Sequence, residues 1–135
     1  MCGFCGVYYI SENKGIRADY DGSASQYLRH RGPDDKGFYS DENIRLYFNR
    51  LSIIDLSKAG HQPMCNERQD IWLVCNGEIY NYLELASELK SRNHTFKSKS
   101  DSEVIIHSYE DYGIRYLSRF NGMWSFVIYD KRNRQ

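Results

Sequence analysis

Cys2 is the residue with the most chemistry available to it. A side chain as small as cysteine permits removal of Met1, which would leave Cys2 at the N-terminus. A free α-amino group titrates at about 7.7–8.0 and a thiol at about 8.5. One residue would then hold a nucleophile and a base, both poised near neutrality. A nucleophile needs oriented partners, and three segments offer them. Asn76-Gly77-Glu78 follows the apolar run Ile71 to Cys75. A side-chain amide N–H beside a backbone N–H unhindered by a Cβ suits an oxyanion hole, although Asn-Gly is also the commonest pair of a tight turn. Arg50 lies inside a strand-like run, and its planar fork matches a carboxylate. Asp101, in Ser100-Asp101-Ser102-Glu103, reads on spacing alone as a helix cap.

Metal chemistry finds little support at this level. Cys2 and Cys5 form half of a zinc-type ligand set, but Cys65 and Cys75 are ten positions apart. In a strand, positions i and i+3 also point to opposite faces. No metal site is therefore expected. His30, His61, His94 and His107 share no spacing and read as loop or surface residues. Asn93-His94-Thr95 fits a glycosylation sequon, which is silent without a secretory signal.

The elements that must position these groups follow from periodicity and punctuation. Phe4 to Ile10 reads as a strand closed by the turn-forming Ser11-Glu12-Asn13-Lys14-Gly15. A short helix around Tyr27 and Leu28 stops at Gly32-Pro33. Ile44 to Asp55 is strand-like, Gly60 to Met64 a loop, and Ile71 to Cys75 a strand running into a turn at Asn76-Gly77. Asn81 reads as an N-cap with Glu84 three residues on, opening a helix whose face is Leu83, Ala86 and Leu89. A second helix spans Ser102 to Tyr112, capped by Asp101 or Ser102 and ended by Gly113. Met123 to Tyr129 is a last strand before the polar turn Asp130-Lys131-Arg132-Asn133. A turn with no returning strand leaves an exposed edge, so the domain reads as incomplete at its C-terminus. Closely spaced strands beside helices favour an α+β class with mostly antiparallel sheets.

Composition sets the outer bounds. The 135 residues suffice for one core, and 18 basic against 18 acidic residues give no electrostatic footprint for nucleic acid or an acidic membrane face. No apolar run approaches the ~18 residues of a membrane span, and the N-terminus lacks the basic and apolar regions of a secretory signal. The expected compartment is the cytoplasm, where disulfides are disfavoured.

Together the segments resemble a known family. Met1-Cys2-Gly3, Arg29-His30-Arg31-Gly32-Pro33-Asp34 with Gly37, and Arg50-Leu51-Ser52-Ile53-Ile54-Asp55 are similar to the class II glutamine amidotransferases. So are Gly60-His61-Gln62-Pro63-Met64, Asn76-Gly77-Glu78-Ile79-Tyr80-Asn81, Ser100-Asp101-Ser102-Glu103-Val104-Ile105 and Phe120-Asn121-Gly122-Met123-Trp124. The order resembles in particular the glutamine-hydrolysing asparagine synthetases, and it covers the whole chain.

The resemblance implies an N-terminal-nucleophile (Ntn) hydrolase fold, a four-layer αββα sandwich. It implies Cys2 as nucleophile and Asn76 and Gly77 as the oxyanion hole. Arg50 would take the α-carboxylate of L-glutamine, and Glu78 and Asp101 its α-ammonium. The ammonia released would serve to convert aspartate to asparagine in a C-terminal synthetase domain, to which the ATP and magnesium belong; this domain itself takes no cofactor. Neither that domain's Ser-Gly-Gly-x-Asp-Ser loop nor the Arg-Asp-x-x-Gly-x-x-Pro-Leu-Tyr stretch that follows the last strand in the family is present. The alternatives are a class II amidotransferase feeding another acceptor, or an inactive truncated chain that only binds glutamine. Cys5, where the family has a small or apolar residue, reads as a buried core thiol.

Overall fold

The computed structural model of the chain describes residues 1–10 and 23–135. The turn expected at Ser11 to Gly15 lies outside the described residues. Strands β1 (Gly3–Tyr8), β2 (Asp35–Ser40) and β3 (Ile44–Arg50) form one antiparallel sheet in the order β1-β3-β2. Strands β4 (Met64–Cys65), β5 (Ile71–Ile79) and β6 (Gly122–Asp130) form a second, in the order β4-β5-β6. Helix α1 (Ser23–Leu28) precedes β2, and α2 (Tyr82–Ser91) and α3 (Glu103–Tyr112) lie between β5 and β6. The class is α+β with two antiparallel sheets. Among the described residues no helix is long and apolar enough to cross a membrane.

The strand period of two builds both cores. Along β3, Ile44, Leu46 and Phe48 point inward and pack with Val74 of β5 and Tyr129 of β6. The opposite face of β5 (Ile71, Leu73, Cys75 and Ile79) packs with Leu85 and Leu89 of α2 and Val104 to Ile106 of α3. Each fully buried side chain of this size contributes roughly 1.5–3 kcal/mol. A one-residue slip in β5 would exchange its two buried faces, so both cores hold its register. On the outer face of the first sheet, α1 reaches β3 through Ser25, whose hydroxyl donates to Asn49 Oδ1 at 3.1 Å.

The structure departs from the sequence expectations at identifiable places. β5 does not turn at Asn76-Gly77 but runs on to Ile79, paired with β6 down to Ile79↔Gly122. A Cβ on Gly77 would sit 2.5 Å from Trp124 Cα, so the glycine serves close strand approach rather than a turn. β3 ends at Arg50 instead of continuing to Asp55. In α2 the buried positions are Leu85 and Leu89, while Leu83 is exposed. Asn81 occupies the N-cap position but makes no cap hydrogen bond. Its side chain instead bridges to the segment before β6, donating to Arg119 O and accepting from Asn121 N–H, both at 3.0 Å. Gly113 closes α3 with φ 60, as its type predicts. Cys5 is half-buried rather than a core thiol, because it shares the outer face of β1–β3 with its partner Tyr47.

Candidate active site

The register of the first sheet places Cys2 and Arg50 together. Gly3 pairs with Asn49, so Cys2 stands opposite the end of β3, on the face that carries Phe48. Leu51 N–H donates to Cys2 Sγ at 3.3 Å, and Arg31 Nε donates to the Cys2 carbonyl at 3.0 Å. The sulfur thus sits within reach of a backbone donor and its main chain is anchored from behind. Burial raises the thiols of Cys5, Cys65 and Cys75, the last to about 12 with the charge of Asp101 adding to the effect. Those three are held away from the reactive thiolate form.

Arg50 is buried, 7% exposed, and its guanidinium donates to the carbonyls of Ser57 (2.8 Å) and Asp55. Carbonyls satisfy the donors without neutralising the charge, so the cation remains available to an anion. The carboxylate of Asp55 turns elsewhere, accepting from Ser57 N–H and Lys99 N–H at 2.8 Å each. Hydrogen bonds from Ser57, then from Lys99, hold it below the usual carboxylate range. Gly60 lies flat against the guanidinium, 2.9 Å from Cζ to where its Cβ would be.

The second sheet supplies donors along an open edge. Tyr80 N–H donates to Asn121 O and Lys131 N–H to Asp70 O, so the even-numbered residues of β5 bond to β6. The odd-numbered N–H groups point the other way, where β4 covers only two residues. There Cys75 N–H donates to Gln62 Oε1 (2.6 Å) and Ile79 N–H to Asp101 Oδ2 (2.8 Å). The register aims the Gly77 N–H at the gap between them. Asn76 and Glu78 share the face of Val74, toward the first sheet.

Asp101 corrects its sequence reading. It caps no helix; Ser102 holds the N-cap position of α3 without a side-chain cap bond, and Asp101 reaches across to β5. Burial raises its carboxyl, the Ile79 N–H opposes that, and the Glu78 charge adds to it. Cys2, Arg50, Asn76, Gly77, Glu78 and Asp101 all line one cavity of about 390 Å³. Met1, Gln62, Ser102 and Trp124 line it as well, although sequence reasoning placed none of them among the site residues. Gln62 and Trp124 both lie in the quoted motifs, and the pairing of Trp124 with Gly77 brings it to the cavity.

A thiol, a buried cation, two carboxylates and a strand-edge glycine thus surround one cavity. The chain belongs to the family of glutamine amidotransferase domains, which it matches over residues 1–135. It is 38% identical over 135 residues to "Asparagine synthetase [glutamine-hydrolyzing] 1" of Bacillus subtilis, covering 98% of this chain and 21% of that protein. It is 41% identical over 133 residues to the Arabidopsis thaliana protein of the same name, covering 98% of this chain and 22% of that one. Against the Zea mays asparagine synthetase [glutamine-hydrolyzing] it is 41% identical over 134 residues, covering 99% and 22%. The chain spans about a fifth of the length of these curated relatives.

Proposed function

We propose that this chain hydrolyses L-glutamine to glutamate and ammonia with Cys2 as nucleophile. The observation that carries the reading is the shared cavity: Cys2 stands just before β1 of one sheet, Asn76 and Gly77 lie in β5 of the other, and Asp101 comes from the segment before α3. With Met1 removed, the Cys2 thiol passes its proton to its own amine and the thiolate attacks the side-chain amide carbon. The oxyanion that forms is met by the Asn76 amide and the Gly77 N–H. The ammonium of Cys2 then protonates the departing nitrogen as the C–N bond breaks, leaving a γ-glutamyl thioester. Water, deprotonated by the same amine, cleaves the thioester and releases glutamate. Arg50 holds the substrate α-carboxylate, and Asp101 with Glu78 its α-ammonium. Nucleophile and base share one residue, so the step calls for no cofactor.

The names of the relatives support a further step, use of the ammonia to convert aspartate to asparagine with ATP in a synthetase domain. The layer order supports the Ntn-hydrolase sandwich: α1 against the first sheet, the two sheets face to face, then α2 and α3. Met1 is 70% exposed at the cavity, open to removal. Intact mass and glutamate release test the reading together. Active protein lacks Met1, and Cys2→Ala abolishes turnover with the fold unchanged. Turnover by protein that fully retains Met1, or by Cys2→Ala, overturns the mechanism.

A further inference from the structure

The sequence reading of the histidines as loop or surface residues fails for His107, which is 2% exposed in the middle of α3. Its ring meets that of His94, from the connection between α2 and α3. His94 Nδ1 and His107 Nδ1 are 3.1 Å apart. Glu110 Oε2 lies 3.1 Å from His107 Nδ1 and 3.7 Å from His94 Nδ1. Four-coordinate zinc, with bonds of about 2.0–2.1 Å, separates its ligands by about 3.3–3.4 Å. The three atoms already stand near that spacing.

Proton placement sharpens the point. His94 Nε2 lies 3.0 Å from Asp111 Oδ1, so it carries its proton there as donor. His107 lies between two carboxylates, with its Nδ1 3.1 Å from Glu110 Oε2 and its Nε2 3.7 Å from Glu103 Oε1. Both Nδ1 atoms and Glu110 Oε2 therefore converge on one small volume, where a metal ion can take the place of a proton. The other oxygen of Glu110 accepts from Asn66 Nδ2 at 2.8 Å, which fixes the carboxylate. An imidazole whose far nitrogen meets a carboxylate, as in His94, beside a ligand carboxylate that is itself hydrogen-bonded, is a common outer-shell arrangement of metal sites.

We propose that His94, His107 and Glu110 bind one divalent transition-metal ion of the zinc class, distinct from the glutamine site. Two imidazole nitrogens and one carboxylate suit that class. His94 and Glu110 are each 14% exposed, leaving a path for entry and for a water as fourth ligand. The ion would staple the start of the α2–α3 connection to α3. The same connection delivers Asp101 to the cavity, and Glu103 holds it further by accepting from Lys97 and Ser98 N–H at 2.8 Å each. The role is structural.

The test is titration of the chelator-treated, full-length protein with Co²⁺ and with Zn²⁺, by visible d–d absorption and by melting temperature. The wild-type protein binds one more equivalent of Co²⁺ than His94→Gln or Glu110→Gln, with a d–d band those variants lack. Zn²⁺ raises the wild-type melting temperature and not theirs. His61→Gln, an exposed histidine outside the cluster, behaves as wild type. Metal-free His94→Gln and metal-free wild type must melt alike, which separates lost binding from lost folding; Glu110→Gln gives a second reading where His94→Gln does not meet that condition. Equal stoichiometry and affinities within threefold for wild type and both variants overturn the proposal. So does absence of any Co²⁺ or Zn²⁺ binding, which would leave a shared proton as the occupant of the trio.

Discussion

Gly60→Ala tests the carboxylate-binding role of Arg50 without altering Arg50. Gly60 has no left-handed φ, so alanine meets no backbone strain there; the three atoms nearest its Cβ all belong to Arg50. The new Cβ would overlap Nη2 and lie 2.9 Å from Cζ. Non-bonded carbons rest at about 3.5–4.0 Å, so the fork must retreat by roughly 1 Å. It cannot do so freely, because its two terminal nitrogens are tied to the carbonyls of Ser57 and Asp55. A bidentate contact to the substrate carboxylate then loses its alignment. A hydrogen bond to a charged group is worth about 1.5–3 kcal/mol, or roughly a 10- to 150-fold change in binding. The expected outcome is a KM for glutamine raised about 10- to 100-fold, with kcat within about threefold of wild type. Glutamate release under saturating and limiting glutamine measures both. Iodoacetamide has no α-carboxylate, so it should alkylate Cys2 at the wild-type rate and report an intact nucleophile. A wild-type KM would refute the assignment of Arg50. A fall in kcat with KM unchanged would move Arg50 into the transition state instead.

Two further perturbations address the remaining groups. Asn76→Ala should lower kcat by ~10²–10³, the usual loss for one oxyanion donor, with Asn76→Asp at least as slow and both melting near wild type; normal turnover in either variant would place the oxyanion hole elsewhere. Asp101→Asn should raise the KM for glutamine at least tenfold while the melting temperature at neutral pH holds or rises. The sign follows from burial: the folded-state pKa of Asp101 is raised. Its ionisation therefore costs stability as pH climbs from the unfolded value through the folded one, and above that the full cost remains. Asparagine keeps an acceptor for Ile79 N–H and removes that cost. In the wild type, kcat/KM for glutamine should fall as pH drops through the raised Asp101 pKa, and the Asn variant should lose this acid limb; a clear drop in melting temperature with unchanged KM would make Asp101 a purely structural residue.

The residues whose roles rest on their own chemistry were legible in the sequence. Cys2 announces itself by position, and Arg50 by being a cation inside a strand. The alternation of Ile44, Leu46 and Phe48 is local information, and it did locate a strand. What stayed hidden was decided by partners far away in the chain. Whether Asn76-Gly77 turns or extends depends on β6, about fifty residues downstream, where Gly122 lets the two backbones close up. Asp101 looks like a cap because capping is local, yet its acceptor is taken by Ile79 N–H, 22 residues earlier. The pairing of His94 with His107 has no short-range signature at all, since a loop and a helix supply one nitrogen each.

The glycines of the motifs have a common physical reason, and it ties the fold to the site. A Cβ on Gly32 would stand 2.6 Å from Arg50 N, and one on Gly37 would stand 2.6 Å from the carbonyl carbon of Gln62. Neither glycine touches the cavity. Gly32 lets the segment after α1 lie on β3 just where Arg50 leaves it. Gly37 lets β2 lie against the backbone of Gln62, whose side chain takes the Cys75 N–H. That contact occupies the open edge of β5 up to Gly77, so the next free N–H along the edge is the one directed at the cavity. Side chains at Gly32 or Gly37 would push apart the elements that set the distance between Cys2 on one sheet and the N–H edge on the other. The geometry of the site is thus enforced by places where no side chain fits, and a site built across two sheets depends on those spacings more than on any single contact.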